Sequence, residues 1–155
     1  EGEYEPKIKP IDNSKTTSSL SENVLEVFLE LTSCKILEPN DFHQVALATL
    51  NKKTLQQGCK IIEKFMKDKR FSSITIFVVL ESHENVNDAS TVLWKILNNI
   101  DPKRDMYIFG NRIGIDVTCK TGDPDYKQDW PAEIEMSNNI KKIVDQKWIK
   151  MFHEW

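Results

Sequence analysis

Excess positive charge, paired cysteines, long apolar runs and glycine- or proline-rich tracts are all missing from this sequence. Each absence removes a class of protein. The 21 Lys and Arg fall short of the 24 Asp and Glu, for a net charge of −3. No cation surplus is left to displace the counterions of a nucleic-acid backbone, so nucleic acid is not an expected partner. The three cysteines, Cys34, Cys59 and Cys119, are far apart and form no C-x-x-C pair. That argues against a disulfide framework or a Cys-rich zinc site and points to reduced thiols in the cytoplasm. No run approaches the ~20 apolar residues of a membrane span. The N-terminal EGEYEPKIKP shows no basic segment followed by an apolar one, so no leader is expected there. With 5 Gly and 6 Pro in the chain, collagen-like and low-complexity classes are excluded.

What is there is enough for one core: 155 residues, 39% of them hydrophobic. Residues 1–18 are polar, carry Pro6 and Pro10, and read as a linker or arm; 19–155 read as a single domain. Ser19 and Glu22 have capping-box spacing, and Leu20, Val24, Val27, Phe28 and Leu31 make the stripe of a first helix. The segment 34–37, stopped by Pro39, is an edge strand at best. Gln44–Leu50 reads as a strand. Thr54 and Gln57 form a second capping box, ahead of a helix with Leu55, Cys59, Ile62 and Met66 on one side. Gly58 weakens that helix, which suggests a close contact needing its small size.

Residues 74–80 (ITIFVVL) are apolar and β-branched almost throughout, the habit of a central strand covered on both faces. Asn87 is a good cap for the next helix, whose apolar face holds Ala89, Val92, Leu93, Ile96 and Leu97. Met106–Phe109 and 113–117 are short strand candidates, with Gly110 and Gly114 free to turn or to let another backbone close. Ser137 caps a last helix with Ile140, Val144, Trp148, Met151 and Trp155 on one side. The order β-α-β-α-β, flanked by N- and C-terminal helices, predicts an α/β layered domain with a largely parallel sheet.

Candidate chemistry is sparse. His43, His83 and His153 lack zinc-ligand spacing. His83 follows the central strand, where open α/β sheets bind ligands, but a solvated loop histidine explains it more simply. No phosphate-cradling glycine loop is present; Gly110 and Gly114 lack a capped helix after them. Asp101, Asp105, Asp116, Asp123 and Asp125 are dense but lack calcium-loop spacing. Turns, and pairing with Arg104 or Arg112, account for them. Lys64, Lys67, Lys69 and Arg70 sit at a helix C-terminus, where they offset its dipole. Trp148, Met151, Phe152 and Trp155 place large apolar groups at the chain's end, to pack on their own domain or across a subunit boundary. Composition and spacing name no function.

Ordered motifs add more. The helix with Leu93-Trp94-Lys95-Ile96-Leu97-Asn98-Asn99 precedes Asp101-Pro102-Lys103-Arg104-Asp105; then come FGNRIGIDVTCK (109–120) and Trp130-Pro131-Ala132-Glu133-Ile134. Asp145 and Trp148 close the series, and Phe42-His43 opens an earlier strand. This order resembles the C-terminal domain of the UbiD-type aromatic acid decarboxylases, which use prenylated FMN, over about residues 20–148. The resemblance implies a bacterial or archaeal enzyme acting on 4-hydroxybenzoate-like or polyprenyl-hydroxybenzoate acids through a covalent adduct with the modified flavin. The family's catalytic Glu-Arg-Glu set, flavin site and divalent-metal ligands lie in an N-terminal domain, and no position here matches them. So no catalytic, cofactor or metal residue is carried over, and the chain alone should be inactive. The implied partners are that flavin-binding domain and further copies in a homo-oligomer. Phe71 matches an aromatic that lines the substrate pocket in relatives, although an aromatic at the start of a strand is usually core. A loop that contributes pocket residues in relatives is missing, since Met106-Tyr107-Ile108 runs directly into Phe109-Gly110. The other readings are a stand-alone interaction module, or a small-ligand binder using Glu81 and His83.

Overall fold

A computed structural model describes residues 14–37, 44–122 and 136–153. Its elements are α1 (Ser14–Val27), β1 (Leu31–Ile36), β2 (Gln44–Leu50), α2 (Gln57–Lys67), a 3-10 turn (Lys69–Phe71), β3 (Ile74–Glu81), α3 (Ala89–Asn99), α4 (Pro102–Asp105), β4 (Met106–Phe109), β5 (Arg112–Asp116) and α5 (Asn138–His153). The strands form one mixed sheet in the order β1-β2-β3-β5-β4. The inner strands β2, β3 and β5 are parallel, and β1 and β4 are antiparallel edges. This is the layered α/β domain the periodicity predicts, with the ITIFVVL run as its middle strand.

Alternation along β3 feeds two cores. Phe77 and Val79 join Ala46, Ala48 and Leu50 of β2 under α1 and α2, whose Val24, Phe28, Ile61, Ile62, Phe65 and Met66 close that layer. The Phe65 ring stacks on Phe77 with centroids 3.8 Å apart and on Phe71 at 5.0 Å. Val78 and Leu80 face the other way, with Leu47 and Val117, onto Val92 of α3. Gly114 of β5 lies beneath α2; a Cβ there would stand 2.1 Å from Ile62 Cγ2, so the strand can approach the helix only as glycine.

Several local expectations are corrected. Residues 14–18, read as part of an arm, are the first turn of α1, and Ser19 lies inside the helix instead of capping it. One local and one tertiary bond at Ser21 follow this extension. Ser21 Oγ donates to the Thr17 carbonyl at 2.9 Å and accepts the Ile36 amide at 3.2 Å, tying α1 to β1. Residues 1–13 lie outside the described residues. At α2 only the return half of the capping box forms: Gln57 Oε1 accepts from Thr54 N at 3.3 Å and from Lys53 N at 2.7 Å. Leu55 is 46% exposed, and Ile61 and Phe65 take the core role given to it. The α3 cap is Asp88, one residue beyond Asn87, because its carboxylate accepts from both the amide and the hydroxyl of Thr91. Leu93 and Leu97 are exposed, and α3 packs through Val92, Ile96 and Ile100 instead. Ser137 does cap α5, its Oγ accepting from Ile140 N at 3.4 Å.

Candidate functional site

The parallel strand β5 ends at Asp116, a carboxylate only 2% exposed. Its neighbour is Gly58 in the first turn of α2, where a Cβ would stand 2.5 Å from Asp116 Oδ1. The close contact that Gly58 suggested is therefore this one: the helix start must be bare for the acid to fit. Asp116 Oδ1 accepts from Thr118 N at 3.0 Å, from Thr118 Oγ at 2.7 Å and from Lys120 Nζ at 3.0 Å. Lys120, 3% exposed, also donates to the Thr118 carbonyl at 2.8 Å and lies 3.8 Å from Asp105 Oδ1. Asp105, fully buried at the end of α4, accepts from Arg104 Nε at 2.7 Å and Nη2 at 2.5 Å, and from Asp101 N at 2.8 Å. Two acids and two bases thus alternate in a neutral chain, buried except at its partly exposed Arg104 end, the arrangement that makes burial of charge tolerable.

Beside this chain opens a cleft of about 650 Å³ between the start of α2 and the β4 edge, with Gln56, Cys59, Lys103 and Tyr107 in its lining. Gln56 holds a left-handed backbone, φ 57°. Burial, and then its hydrogen bond with Cys59, push the Tyr107 phenol upward, so it remains a neutral hydroxyl. Burial pushes the Cys34 thiol up to about 12, which keeps that cysteine protonated and inert. Among the described residues no buried side-chain nitrogen or oxygen lacks a hydrogen-bond partner. Nor does any group of three or more His, Cys, Asp or Glu among them stand close enough to hold a metal ion. This arrangement fixes loop 117–120 against the sheet.

Other candidates fall elsewhere. Arg104 does pair with Asp105, whereas among the described residues Arg112 pairs with no aspartate, contrary to expectation. Its guanidinium donates to the carbonyls of Ile74 at 2.7 Å, Met66 at 2.7 Å and Phe71 at 2.8 Å, and burial lowers its pKa. Phe71 is 1% exposed, packed on Phe65 and, at 6.0 Å, on Phe28. It lines neither this cleft nor the one beside α1. The end of β3 is taken by the chain itself: Glu81 Oε1 accepts from Cys119 N at 2.7 Å, and Lys52 Nζ donates to the Cys119 carbonyl. His83 is exposed, 3.4 Å from Glu84 Oε1, and Glu84 in turn holds the buried Lys95 at 2.7 Å. Of the cationic cluster, Lys67 pairs with Glu63 and Arg70 with Asp68. Trp148 is 61% exposed on α5. Met151 and Phe152 belong to that helix, but their side chains, like Trp155, His43, Asp123 and Asp125, lie outside the described residues.

The segments that build the network, 101–105 and 109–120, also carry the resemblance. Residues 15–127 match the family described as the 3-octaprenyl-4-hydroxybenzoate carboxy-lyase C-terminal domain. The chain belongs to this UbiD C-terminal family. Its curated relatives include an uncharacterized protein of Aquifex aeolicus, 29% identical over 71% of this chain and 26% of the relative. Another, from Archaeoglobus fulgidus, is 28% identical over 69% of this chain and 26% of the relative. The chain therefore spans about a quarter of their length. Similar solved structures include an evolved dimeric form of the UbiD-class enzyme HmfF from Pelotomaculum thermopropionicum in complex with prFMN. It has a TM-score of 0.59 and 20% identity, over 81% of this chain and 27% of that one. The vanillic acid decarboxylase of Sedimentibacter hydroxybenzoicus, in open form, gives a TM-score of 0.64 at 11% identity, over 87% of this chain and 32% of that one. At these identities the likeness establishes the UbiD C-terminal fold. Among the described residues no helix is long and apolar enough to cross a membrane.

In this UbiD C-terminal domain, sequence reasoning missed Thr118, Lys120, Tyr107 and Cys59. The available signal was polar residues placed inside and just after a short apolar strand, where a bare loop would be expected to face water.

Proposed function

We propose that this chain is the C-terminal domain of a UbiD-type aromatic acid decarboxylase, a carboxy-lyase for 3-polyprenyl-4-hydroxybenzoate or related acids. Such chemistry serves ubiquinone or menaquinone biosynthesis. In this reading the domain is not catalytic alone. It caps the substrate side of an N-terminal flavin-binding domain of the same protein and joins copies into a homo-oligomer in the cytoplasm. The observation that carries the reading is the family match over residues 15–127. A structural neighbour in complex with prFMN supports the cofactor of the parent enzyme. The described residues of this chain do not fit prenylated FMN or its divalent metal, because their buried charges are already paired with one another. The flavin and metal are thus assigned to the partner domain. Phe71, which matches a pocket-lining aromatic of relatives, is assigned to the substrate side of the assembled enzyme; within this domain it is 1% exposed and packs at the start of β3. Trp148, Met151, Phe152 and Trp155 of the last helix are assigned to the contact between copies, with the 61% exposure of Trp148 in support.

The test mixes the chain with the separately purified flavin domain carrying prenylated FMN. Binding and restored turnover of an aromatic acid are expected; neither appearing would count against the reading. The cleft of about 650 Å³ favours a second reading, a small-ligand or interaction module that kept the fold. A rise in melting temperature with FMN or an aromatic acid added to the chain alone would favour that alternative.

A further inference from the structure

The cleft between the start of α2 and β4, about 650 Å³ in volume, is within the size range of small-ligand pockets. Its charges are layered. Asp105 and Asp116, at 0% and 2% exposure, lie in the floor with Lys120, and each acid there is paired with a cation. The cations come forward. The Arg104 side chain is 22% exposed in front of the wholly buried Asp105, and Lys103 beside it is exposed. Asp101, the exposed acid of the lining, is turned back to cap α4, its Oδ1 accepting the Lys103 amide at 2.9 Å. The opposite wall is the start of α2, where the helix dipole places a partial positive charge. Gln56, the N-cap residue there, lends no side-chain bond to the first turn. Among the described residues it is the one non-glycine with positive φ, at 57°. Strain of that kind gathers at ligand sites. Between the two walls stands Tyr107, hydrogen-bonded to Cys59. Its phenol stays protonated, so it offers an O–H and no negative charge.

Acids recessed and paired, cations and neutral donors forward, and a helix start opposite them make a surface suited to negative charge. We propose that this cleft binds a small molecule by an oxyanion head group, a carboxylate or a phosphate, held by Lys103 and Arg104 with Tyr107 and Gln56 as neutral hydrogen-bond donors. Arg104 is fixed for this role from behind: Asp105 holds its Nε at 2.7 Å and its Nη2 at 2.5 Å, so the guanidinium is oriented before a ligand arrives. An oxyanion alone fills a small part of the volume, and the remainder suits a short organic body. The site is built from this chain's own residues, so it goes beyond the capping role above and holds with or without a flavin domain.

Amide NMR of the whole chain, titrated with inorganic phosphate, glycerol 3-phosphate and succinate, tests this. Saturable shifts are expected at 56–59, 101–107 and 116–120 with glycerol 3-phosphate or succinate. A response to the phosphates alone, or to succinate alone, supports the site and tells which head group it takes. Lys103→Ala should weaken binding about tenfold, the loss of one charge-assisted contact. Its side chain is exposed, so the melting temperature should match the parent chain. Tyr107→Phe keeps the ring, removes the hydroxyl and should weaken binding severalfold. Lys69→Ala, an exposed lysine outside the lining, should leave binding unchanged, which separates the site from a general attraction of anions to lysines. Shifts that never saturate with any of the three anions, or that weaken equally in Lys103→Ala and Lys69→Ala, would overturn the site. Turnover by an assembled enzyme does not enter this readout, so that failure would leave the decarboxylase reading standing.

Discussion

Under α1 and α2 the sheet buries Ala46, Ala48, Leu50, Phe77 and Val79 to 0% exposure, whereas across its thickness Val45, Ile76 and Ile113 are only partly buried and Ile108 is 74% exposed. The two faces carry equally apolar residues, so composition does not separate them. Among the described residues the difference is the number of helices each receives: two against the first face, and one, α3, against part of the second. The first face makes the domain fold. Among the described residues the second is only partly covered.

Breaking the covered face should cost most. Lys120→Met leaves Asp116 buried without its cation, while Asp105 keeps Arg104, and should destabilise the domain by ~3–5 kcal/mol in denaturant titration. Phe65→Ala removes the ring stacked between Phe71 and Phe77 and should cost a similar ~3–5 kcal/mol. If either change costs under ~1 kcal/mol, the covered face is not where stability resides. Gly58→Ala should lose ~1–3 kcal/mol despite the better helix propensity of Ala, because the new methyl meets an Asp116 held by three hydrogen bonds. On the other face, Ile108→Ser should change the stability of the monomer by no more than ~0.5 kcal/mol. The smallest effect is a pH effect at α3. Hydrogen bonds from Thr91 hold the Asp88 carboxyl below its usual range. Its contribution is therefore complete above the ordinary carboxylate pKa near ~4 and is lost as pH falls through the lowered value. Carboxyl NMR titration should show the depressed midpoint, and Asp88→Asn should remove that limb of the stability profile.

Elements governed by short-range pattern were legible from the sequence. The run Gln44–Leu50 and Met106–Phe109 are strands at the boundaries their periodicity suggests, and the ITIFVVL segment is central because only a doubly covered strand can be apolar throughout. The family was legible from motif order, since several motifs in sequence are harder to match by chance than one. What was not legible depends on partners distant in the chain. Helix α1 begins five residues before its apparent cap, and its Ser21 is tied to Ile36, a contact no local pattern announces. Arg112 looked like a mate for nearby aspartates, yet the carbonyls it serves lie 38 to 46 residues away. The exposed flank of α3 reads as core in any helical projection, because Leu93 and Leu97 carry no mark of which face meets the sheet.

Arg112 also has a mechanical consequence. One guanidinium grips the last turn of α2, the 3-10 turn and the first residue of β3, three pieces of backbone that the Phe65 ring also joins by stacking on Phe71 and Phe77. A clamp with three jaws cannot release one piece and keep the others aligned. The end of α2, the turn and the start of β3 should open together, as one unit, so their amide protons should exchange with a shared rate, and Arg112→Lys, offering a single ammonium in place of a fork, should split that rate into separate ones.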